Sequence, residues 1–420
     1  MPHRKLLVLT YHFPPSAASG AFRMLGFVQH LPRFDWQSVV VAPPRLPWEP
    51  TDEALLGRVP PETAVHHVPY PDGLIWKPMR RLFHERVWLP SAAAACYRAI
   101  RRHQPDAVLT SGPPHSIHLL GRHLRRWTGL PWVADFRDPW VAGDPSQTRR
   151  KVPWREARAE LSVMHEAEAI VANTPRACDL LCHAYPQFAS KMSSITNGYD
   201  PEPFEPNPVP PLTGSTIEII HTGTIYANRS PGPFLEAIQR LEPASVAGKR
   251  LRVRFIGDFL DEQKKQEIQD NVHVFMNTSV SLEEQMPYSE AIRATVQADL
   301  LLLMDTPGRQ AGVPAKLYEY IGAGRPILAL AELDSDVAWV LNESGVPHRI
   351  ASPLNAEAIR RALTELLQDP ATARCGGHDK PLQSRFTRKH LAGELAALLD
   401  SCLDAVCFKL DERSVSEAAR

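Results

Sequence analysis

Pro314-Ala-Lys-Leu-Tyr-Glu-Tyr-Ile-Gly-Ala-Gly-Arg-Pro-Ile-Leu328 decides the fold. Lys316 and Glu319 stand at i and i+3, so a helix puts both on one face. Pro314 suits a first helical turn, where its missing N–H is not needed. The Gly-Ala-Gly-Arg-Pro run then ends the helix, and Ile327-Leu328-Ala329-Leu330 reads as a buried strand. A helix start offers free N–H groups and a positive dipole end to phosphate. A carboxylate one turn in can accept both hydroxyls of a ribose. The chemistry indicated is nucleotide binding, with phosphate near the helix start and ribose at Glu319.

Tyr318-Glu319-Tyr320-Ile321-Gly322-Ala323-Gly324-Arg325-Pro326 resembles the C-terminal nucleotide-sugar motif of GT-B glycosyltransferases, above all glycosyltransferase family 4. It corresponds to the second half of that family's paired-glutamate motif. The other glutamate of the pair falls eight positions earlier, where this chain has Ala311. The resemblance implies donor-nucleotide binding at Glu319, with Leu317 beside it, and leaves open how the donor sugar is held.

Outward from this motif, apolar runs alternate with helical patterns. In the first half, Lys5–Thr10, Ser38–Ala42, Ala64–Val68, Ala107–Thr110, Trp132–Asp135, Ala169–Ala172 and Met192–Ile195 read as strands. The proline-rich run 201–211 reads as a linker. The pattern then restarts with strands at Ile217–His221, Leu251–Ile256, Val272–Phe275, Asp299–Leu303 and Ile327–Leu330. Pro231–Leu241, Leu282–Val296 and Thr387–Asp400 read as helices. Such alternation predicts parallel α/β sheets, and 420 residues exceed what one core usually supports. The expected architecture is α/β, GT-B: two doubly wound Rossmann-like domains facing a central cleft. The expected division is an N-terminal acceptor-side domain over 1–200, a linker over 201–215, and a nucleotide-sugar domain over 216–385. A helix over 386–408 crosses back in the resembling family, and 409–420 reads as a polar tail.

Several strand-end loops carry candidate chemistry. Tyr11-His-Phe-Pro-Pro-Ser-Ala-Ala-Ser-Gly20-Ala-Phe-Arg23 joins a strand to a helix through small residues. It looks like the first loop of family 4 enzymes, where a glycine faces the donor diphosphate, which nominates Gly20 and Arg23. An ordinary tight strand–helix connection is the alternative. Thr110-Ser-Gly-Pro-Pro-His115 and Ala134-Asp135-Phe-Arg137-Asp138-Pro139-Trp140 follow two further strands. His115 and Asp138 are candidate proton-transfer groups. Asp135 and Arg137 are candidate acceptor contacts, with a loop-buttressing ion pair as the alternative. The second stretch is similar to the Arg-Asp-Pro-Trp segment of family 4 members acting on polysaccharide precursors.

In the second half, His221-Thr222-Gly223-Thr224-Ile-Tyr226-Ala-Asn-Arg229 resembles the family's Thr-Gly-Thr…Arg segment. It nominates Gly223, Thr224 and Arg229 at the donor. A fixed cation there offsets charge developing on a diphosphate leaving group, so Arg229 and Lys316 are the expected leaving-group stabilisers. Asp305-Thr-Pro-Gly-Arg309-Gln-Ala-Gly-Val313 is a flexible loop expected over the donor sugar.

Composition is that of a globular protein, 44% apolar and 22% charged, with formal net charge zero. The charge is uneven: residues 1–200 hold 24 Lys+Arg and 17 Asp+Glu, a net of +7. A basic half favours an anionic partner. Ile75-Trp76-Lys77 to Val87-Trp88-Leu89 mixes aromatics with arginines and suits an anionic membrane surface, or else a packed helix with a solvated basic face. No apolar run approaches a bilayer span, and basic residues form no long stripe for nucleic acid. The six cysteines contain no CxxC pair, so free thiols in a cytoplasmic setting are expected.

The resemblance implies transfer of a sugar from a nucleotide diphosphate sugar to a hydroxyl acceptor, with retention and without a bound metal. A glycan or lipid-linked acceptor in bacterial cell-surface polysaccharide or glycolipid assembly is the expected setting, peripheral on the inner membrane face. A nucleotide-sugar 2-epimerase on the same fold and a non-catalytic nucleotide-sugar-binding protein are the rival readings.

Overall fold

Runs such as Leu6-Leu7-Val8-Leu9 have no polar side, so they form strands covered on both faces. The computed structural model describes residues 4–44, 49–71, 84–142, 153–204, 215–226, 228–242, 248–271, 278–369 and 384–418. The chain divides into two units, Met1–Asn197 with Arg388–Arg420, and Gly198–Thr387.

The first unit holds β1 (Arg4–Thr10), β2 (Trp36–Ala42), β3 (Ala64–His67), β4 (Ala107–Gly112), β5 (Trp132–Phe136), β6 (Ala169–Ala172) and β7 (Met192–Ser194). They form one parallel sheet in the order β3-β2-β1-β4-β5-β6-β7. Leu7 lies beside Val39 and Val108, and Val8 beside Val40 and Leu109. Leu7 and Leu9 face a core shared with α2 (Leu89–His103), α3 (Ile117–Thr128), α4 (Trp154–Glu166) and α5 (Pro175–Ala184). Leu6 and Val8 face the opposite core, shared with α1 (Ser19–His30) and the last helix, Arg388–Ala418.

The second unit holds β8 (Thr216–Thr222), β9 (Arg250–Ile256), β10 (Thr278–Glu283), β11 (Leu300–Met304), β12 (Ile327–Leu330) and β13 (His348–Ala351). Their parallel order is β10-β9-β8-β11-β12-β13. Its helices are α6 (Gly232–Gln239), α7 (Glu262–Asn271), α8 (Tyr288–Gln297), α9 (Lys316–Ala323), α10 (Asp336–Ser344) and α11 (Ala356–Gln368); the last helix of the chain is α12. In both sheets the first strand sits between neighbours whose order reverses, β1 against β4 and β8 against β11. Crevices at such switch points, at the carboxyl ends of strands, are where α/β sheets bind ligands.

Several sequence expectations need correction. The expected strand Val272–Phe275 lies outside the described residues, and the third strand of the unit is Thr278–Glu283. Leu282 and Glu283 therefore belong to a strand rather than to the expected helix, which starts at Tyr288. β13 was not expected at all. Both strands lie at sheet edges, where a half-solvated face weakens the apolar signal. The last helix continues to Ala418, through the stretch expected to be a polar tail. Residues 205–214 of the expected linker lie outside the described residues. The chain has already entered the second unit before them, because Tyr199 and Phe204 are buried in its core. Gly322 exists for their sake: a Cβ there would lie 2.6 Å from Tyr199 and 2.7 Å from Phe204.

Residues 72–83 of the aromatic–basic stretch also lie outside the described residues. Trp88, at its end, is fully buried and donates to the Val68 carbonyl at 2.9 Å. It is a core residue and cannot insert into a membrane.

The final helix closes the first unit. Gly26 on α1 leaves room for the Arg388 side chain, and Gly393 leaves room for Phe34. Trp36 donates to Asp400 at 2.9 Å, while Leu391, Leu395 and Leu399 cover Leu6 and Val8. Truncating a buried leucine costs about 2–5 kcal/mol. Leu399→Ala, nearly 400 residues from β1, is therefore expected to lower stability by about that amount. Denaturant unfolding followed by the fluorescence of the tryptophans checks it.

Candidate functional site

In the second unit, β8 runs out at Thr222 into Gly223, whose φ is +97°. That left-handed conformation favours glycine. A Cβ on Gly223 would lie 2.7 Å from the Lys316 Nζ. A Cβ on Gly257, after β9, would lie within 3.0 Å of the Gly223 backbone. The two strand-end turns therefore pack backbone to backbone, with a lysine head group resting on the first.

Lys316 is the first residue of α9. Its ammonium donates to the Thr222 carbonyl and lies 3.3 Å from His221 Nε2. His221 is buried, and its Nδ1 sits 2.8 Å from the Leu302 carbonyl. A carbonyl only accepts, so Nδ1 carries the hydrogen and Nε2 presents its lone pair to Lys316. Tyr320, one turn further along the same helix face, accepts a bond from the Thr222 N–H at 2.9 Å. Burial, with nearby Arg229 adding to it and Glu319 opposing both, lowers the Lys316 pKa to about 7. Burial likewise holds His221 well below its ordinary value, with Lys316 adding to the shift.

Arg229 stands in the loop after β8. Its guanidinium is 3.6 Å from the Asp305 carboxylate, 3.4 Å from Thr306 Oγ1 and 5.1 Å from the Tyr226 ring centre. Asp305 ends the β11 side of the same crevice and also meets Arg309 at 3.2 Å. Burial raises the Asp305 pKa against both arginines, and its Oδ2 has no hydrogen-bond partner among the described residues. Thus one carboxylate orients two guanidiniums. Glu319 is half-buried, one turn into α9. Thr224 is half-buried in the loop after Gly223. Leu317 needs correction: its side chain is fully buried in the core, and its N–H donates to the Pro314 carbonyl at 3.0 Å. It has nothing left to offer a donor.

At the missing-glutamate position, the Ala311 carbonyl accepts from Arg309 Nε at 3.2 Å. A Cβ on the next residue, Gly312, would lie 2.4 Å from Arg309 Nη2. The loop therefore folds around an arginine next to the place where the family has its first glutamate.

In the first unit, Arg23 and Asp135 need a different reading. The Arg23 guanidinium meets Asp135 at 2.7 Å, and the remaining N–H groups reach the Ile195 and Thr196 carbonyls and Asn197. Asp135 also accepts from Ser111 Oγ at 2.7 Å. Both charges are buried and satisfied by protein. Arg23 has no donor free for a phosphate and Asp135 none of its charge free for an acceptor. They tie α1 to β4, β5 and the end of the first unit.

Arg137 lies at the end of β5. Its N–H and Nε both donate to the Gly112 carbonyl, at 2.9 and 3.1 Å, and Nη2 donates to the Pro113 carbonyl. A Cβ on Gly20 would lie 1.2 Å from Arg137 Nη1, so the guanidinium occupies the space over that glycine. Burial lowers the Arg137 pKa to about 10, which leaves it charged near neutrality. Glu49 stands nearby: it accepts from Ser16 Oγ at 2.7 Å, and His12 Nδ1 is 3.1 Å away. Burial opposes ionisation of Glu49, but His12, Ser16 and Arg137 outweigh it and hold the carboxyl below its usual range. His12 and Glu49 lie in irregular loops without periodicity, and no sequence signal singles them out.

His115 stacks on Phe136 at 5.5 Å and on Trp140 at 5.4 Å. Burial lowers its pKa to about 4, helped by Arg137, so it is neutral near pH 7 and able to accept a proton only weakly. Asp138 is exposed beside Arg137. The structure thus groups Gly20, Arg137, Glu49, His12, Asp138 and His115 around the carboxyl ends of β1, β4 and β5. It groups Gly223, Lys316, Arg229, Asp305 and Arg309 at the ends of β8 and β11.

Residues 20–203 match the model of the family described as Glycosyltransferase Family 4. A sequence comparison with curated proteins finds no match. Among solved structures, a sucrose-phosphate synthase from Thermosynechococcus elongatus is 16% identical, aligning 96% of this chain with 100% of that one at a TM-score of 0.63. A glycosyltransferase from Rickettsia africae is 11% identical over 96% and 99%, with a TM-score of 0.66. The UDP-GlcNAc 2-epimerase from Methanocaldococcus jannaschii is 12% identical over 94% and 99%, with a TM-score of 0.56. The fold is GT-B, and the match of residues 20–203 to a glycosyltransferase family model supports glycosyl transfer as the activity class. Lys316 and Glu319 lie outside the matched range.

Removing one member of a buried ion pair strands the other and costs about 3–5 kcal/mol. Asp135→Asn and Arg23→Met are each expected to lower stability by about that much, and the Arg23→Met/Asp135→Asn pair by less than their sum. Urea unfolding of the four proteins, compared as a double-mutant cycle, measures the coupling.

Proposed function

We propose that this protein transfers a sugar, with retention, from a nucleoside diphosphate sugar to a hydroxyl of a glycan or lipid-linked acceptor. The setting is bacterial cell-surface polysaccharide or glycolipid assembly, at the inner face of the membrane. The observation that carries the reading is the Lys316 ammonium resting on Gly223 at the switch point of the second sheet, with Arg229 in the adjoining loop. A desolvated cation beside open glycine backbone suits a diphosphate, and Glu319 one turn away suits the ribose.

The division of labour follows from the charges. Lys316 and Arg229 face negative charge that develops on the leaving diphosphate as the glycosidic bond breaks. Asp305 holds Arg229 in place, so its orientation does not have to be found during the reaction. In the first unit, Arg137, Glu49, Asp138 and His115 offer hydrogen-bonding and proton-accepting groups to a hydroxyl acceptor. A panel of nucleotide sugars incubated with and without lipid-phosphate acceptors tests the reading. Product formed only with acceptor supports transfer; epimerised donor without acceptor indicates the epimerase; binding without turnover indicates a sugar-nucleotide sensor.

The Lys316 shift has a sign. With a pKa of about 7 in the free protein, the side chain is mostly neutral at pH 8. A bound diphosphate restores its charge, so binding takes up a proton and affinity falls as pH rises above about 7. Calorimetry at pH 8 in buffers of different ionisation enthalpy is expected to show that uptake for wild type and not for Lys316→Met. Neutralising Arg229 or Lys316 is expected to lower turnover more than substrate affinity.

Removing a hydrogen-bonding charged group costs about 1.5–3 kcal/mol. Glu319→Ala is therefore expected to weaken nucleoside diphosphate binding by roughly 10–150-fold, measured by calorimetry on folded protein. Unchanged binding removes Glu319 from the site.

A further inference from the structure

Helices α2, α3 and α4 cover one face of the first sheet, with Ala95, Cys96, Leu120, Leu124 and Val163 turned into its core. Their outer faces are unusual. Leu89–His103 and Ile117–Thr128 contain Arg98, Arg101, Arg102, Arg122, Arg125 and Arg126 and no carboxylate at all. α4 adds Arg155 and Arg158. Some of this charge is answered: Arg122 and Arg126 meet Glu166, and Arg125 meets Glu168. Arg98, Arg101, Arg102 and Arg158 are exposed and meet no carboxylate among the described residues.

Large apolar side chains stand among these arginines. Trp154 is 67% exposed, Trp127 49% and Leu161 44%. Trp154, Arg158 and Leu161 fall at i, i+4 and i+7, one stripe of α4. Trp127 packs edge-on against Tyr97 of α2, ring centres 4.1 Å apart, so its position is fixed although half its surface meets water. One exposed tryptophan needs no explanation; two with a leucine on one basic face do.

We propose that the outer face of α2, α3 and α4 docks on an anionic lipid bilayer, with Trp127, Trp154 and Leu161 entering the headgroup region and the free arginines meeting lipid phosphates. Charge complementarity selects a polyanionic surface. The apolar side chains select a bilayer over a nucleic acid duplex, because tryptophan gains from an interface that is apolar on one side and wet on the other. The docking deepens the glycosyl-transfer reading by bringing the protein to where a lipid-linked acceptor lies, yet it concerns a surface apart from Lys316 and Arg229. It also replaces the stretch around Trp76, whose last tryptophan, Trp88, is buried.

The test uses the full chain without donor or acceptor, floated with phosphatidylcholine vesicles or with mixed phosphatidylcholine–phosphatidylglycerol vesicles. Wild type is expected to float with the mixed vesicles far more than with the neutral ones, and salt is expected to weaken that binding in part. Replacing Arg98, Arg101, Arg102 and Arg158 by Gln is expected to weaken it by at least about a hundredfold. Trp127→Ser/Trp154→Ser/Leu161→Ser is expected to remove the salt-resistant part, together with quenching of tryptophan fluorescence by brominated lipid. All seven positions are surface ones, and unchanged thermal unfolding of both variants keeps the comparison valid. Three results overturn the proposal: no flotation of wild type, undiminished flotation of the arginine variant, or tight binding of an oligonucleotide with none to vesicles. Nucleotide calorimetry on the same variants keeps the two readings apart. Loss of flotation with intact nucleotide binding bears on docking alone, and intact flotation without nucleotide binding bears on the donor site alone.

Discussion

A lysine ammonium held against backbone governs the second unit. Lys316 reaches its position because Gly223 has no Cβ, Thr222 offers a carbonyl and His221 offers a lone pair. Each of these depends in turn on the sheet. His221 is fixed by the Leu302 carbonyl of β11, and Thr222 by the Tyr320 hydroxyl of α9. The turn after β8 can bend as it does only because Gly257 lets it pack against the turn after β9. Strand order, glycine placement and helix start thus converge on one cation. Burial makes that cation reluctant to stay charged, and a bound anion would reverse the preference.

The two units share a topology and use it differently. In each, the first strand lies at the switch point, followed by a small-residue loop. In the first unit the arginine after that loop, Arg23, is neutralised by Asp135 and three further acceptors, so its charge holds the fold. In the second unit Arg229 meets Asp305 at 3.6 Å and shares it with Arg309. The first arrangement is a closed ion pair; the second leaves excess positive charge at the strand ends. A shared fold therefore does not fix how a strand-end arginine is used; the number of acceptors around each arginine sets how much of its charge is answered.

Central strands were legible because parallel strands are apolar on both faces. Ile327–Leu330 and Ala169–Ala172 match their expected limits, while edge strands β10 and β13 escaped a search for apolar runs. At the candidate site, the placement of Lys316 and Glu319 one turn apart on a helix was legible from spacing, and that of Gly223 from its position after a strand. Arg23 was misread because nothing local shows that Asp135, 112 positions away, takes its charge. Leu317 was misread for the opposite reason: motif proximity suggested contact, and helix phase turned it into the core. Asp305 and Arg309 were visible as a loop, but their sharing of one carboxylate with Arg229 is a product of folding.

That sharing bears on the position where the family's first glutamate is absent. A glutamate at position 311 would face a loop already holding Arg309, which bonds the Ala311 carbonyl and lies against Gly312. Arg309 is anchored by Asp305, which also orients Arg229. The carboxylate on this side of the crevice therefore comes from the end of β11, and it is engaged in placing guanidiniums. A buried Asp305 whose Oδ2 lacks a partner is costly to keep, and two flanking arginines offset that cost. Substituting alanine for the glutamate removes one carboxylate from the loop and leaves the local charge positive. The strand ends of the second unit at β8 and β11 are consequently organised by cations held in fixed directions.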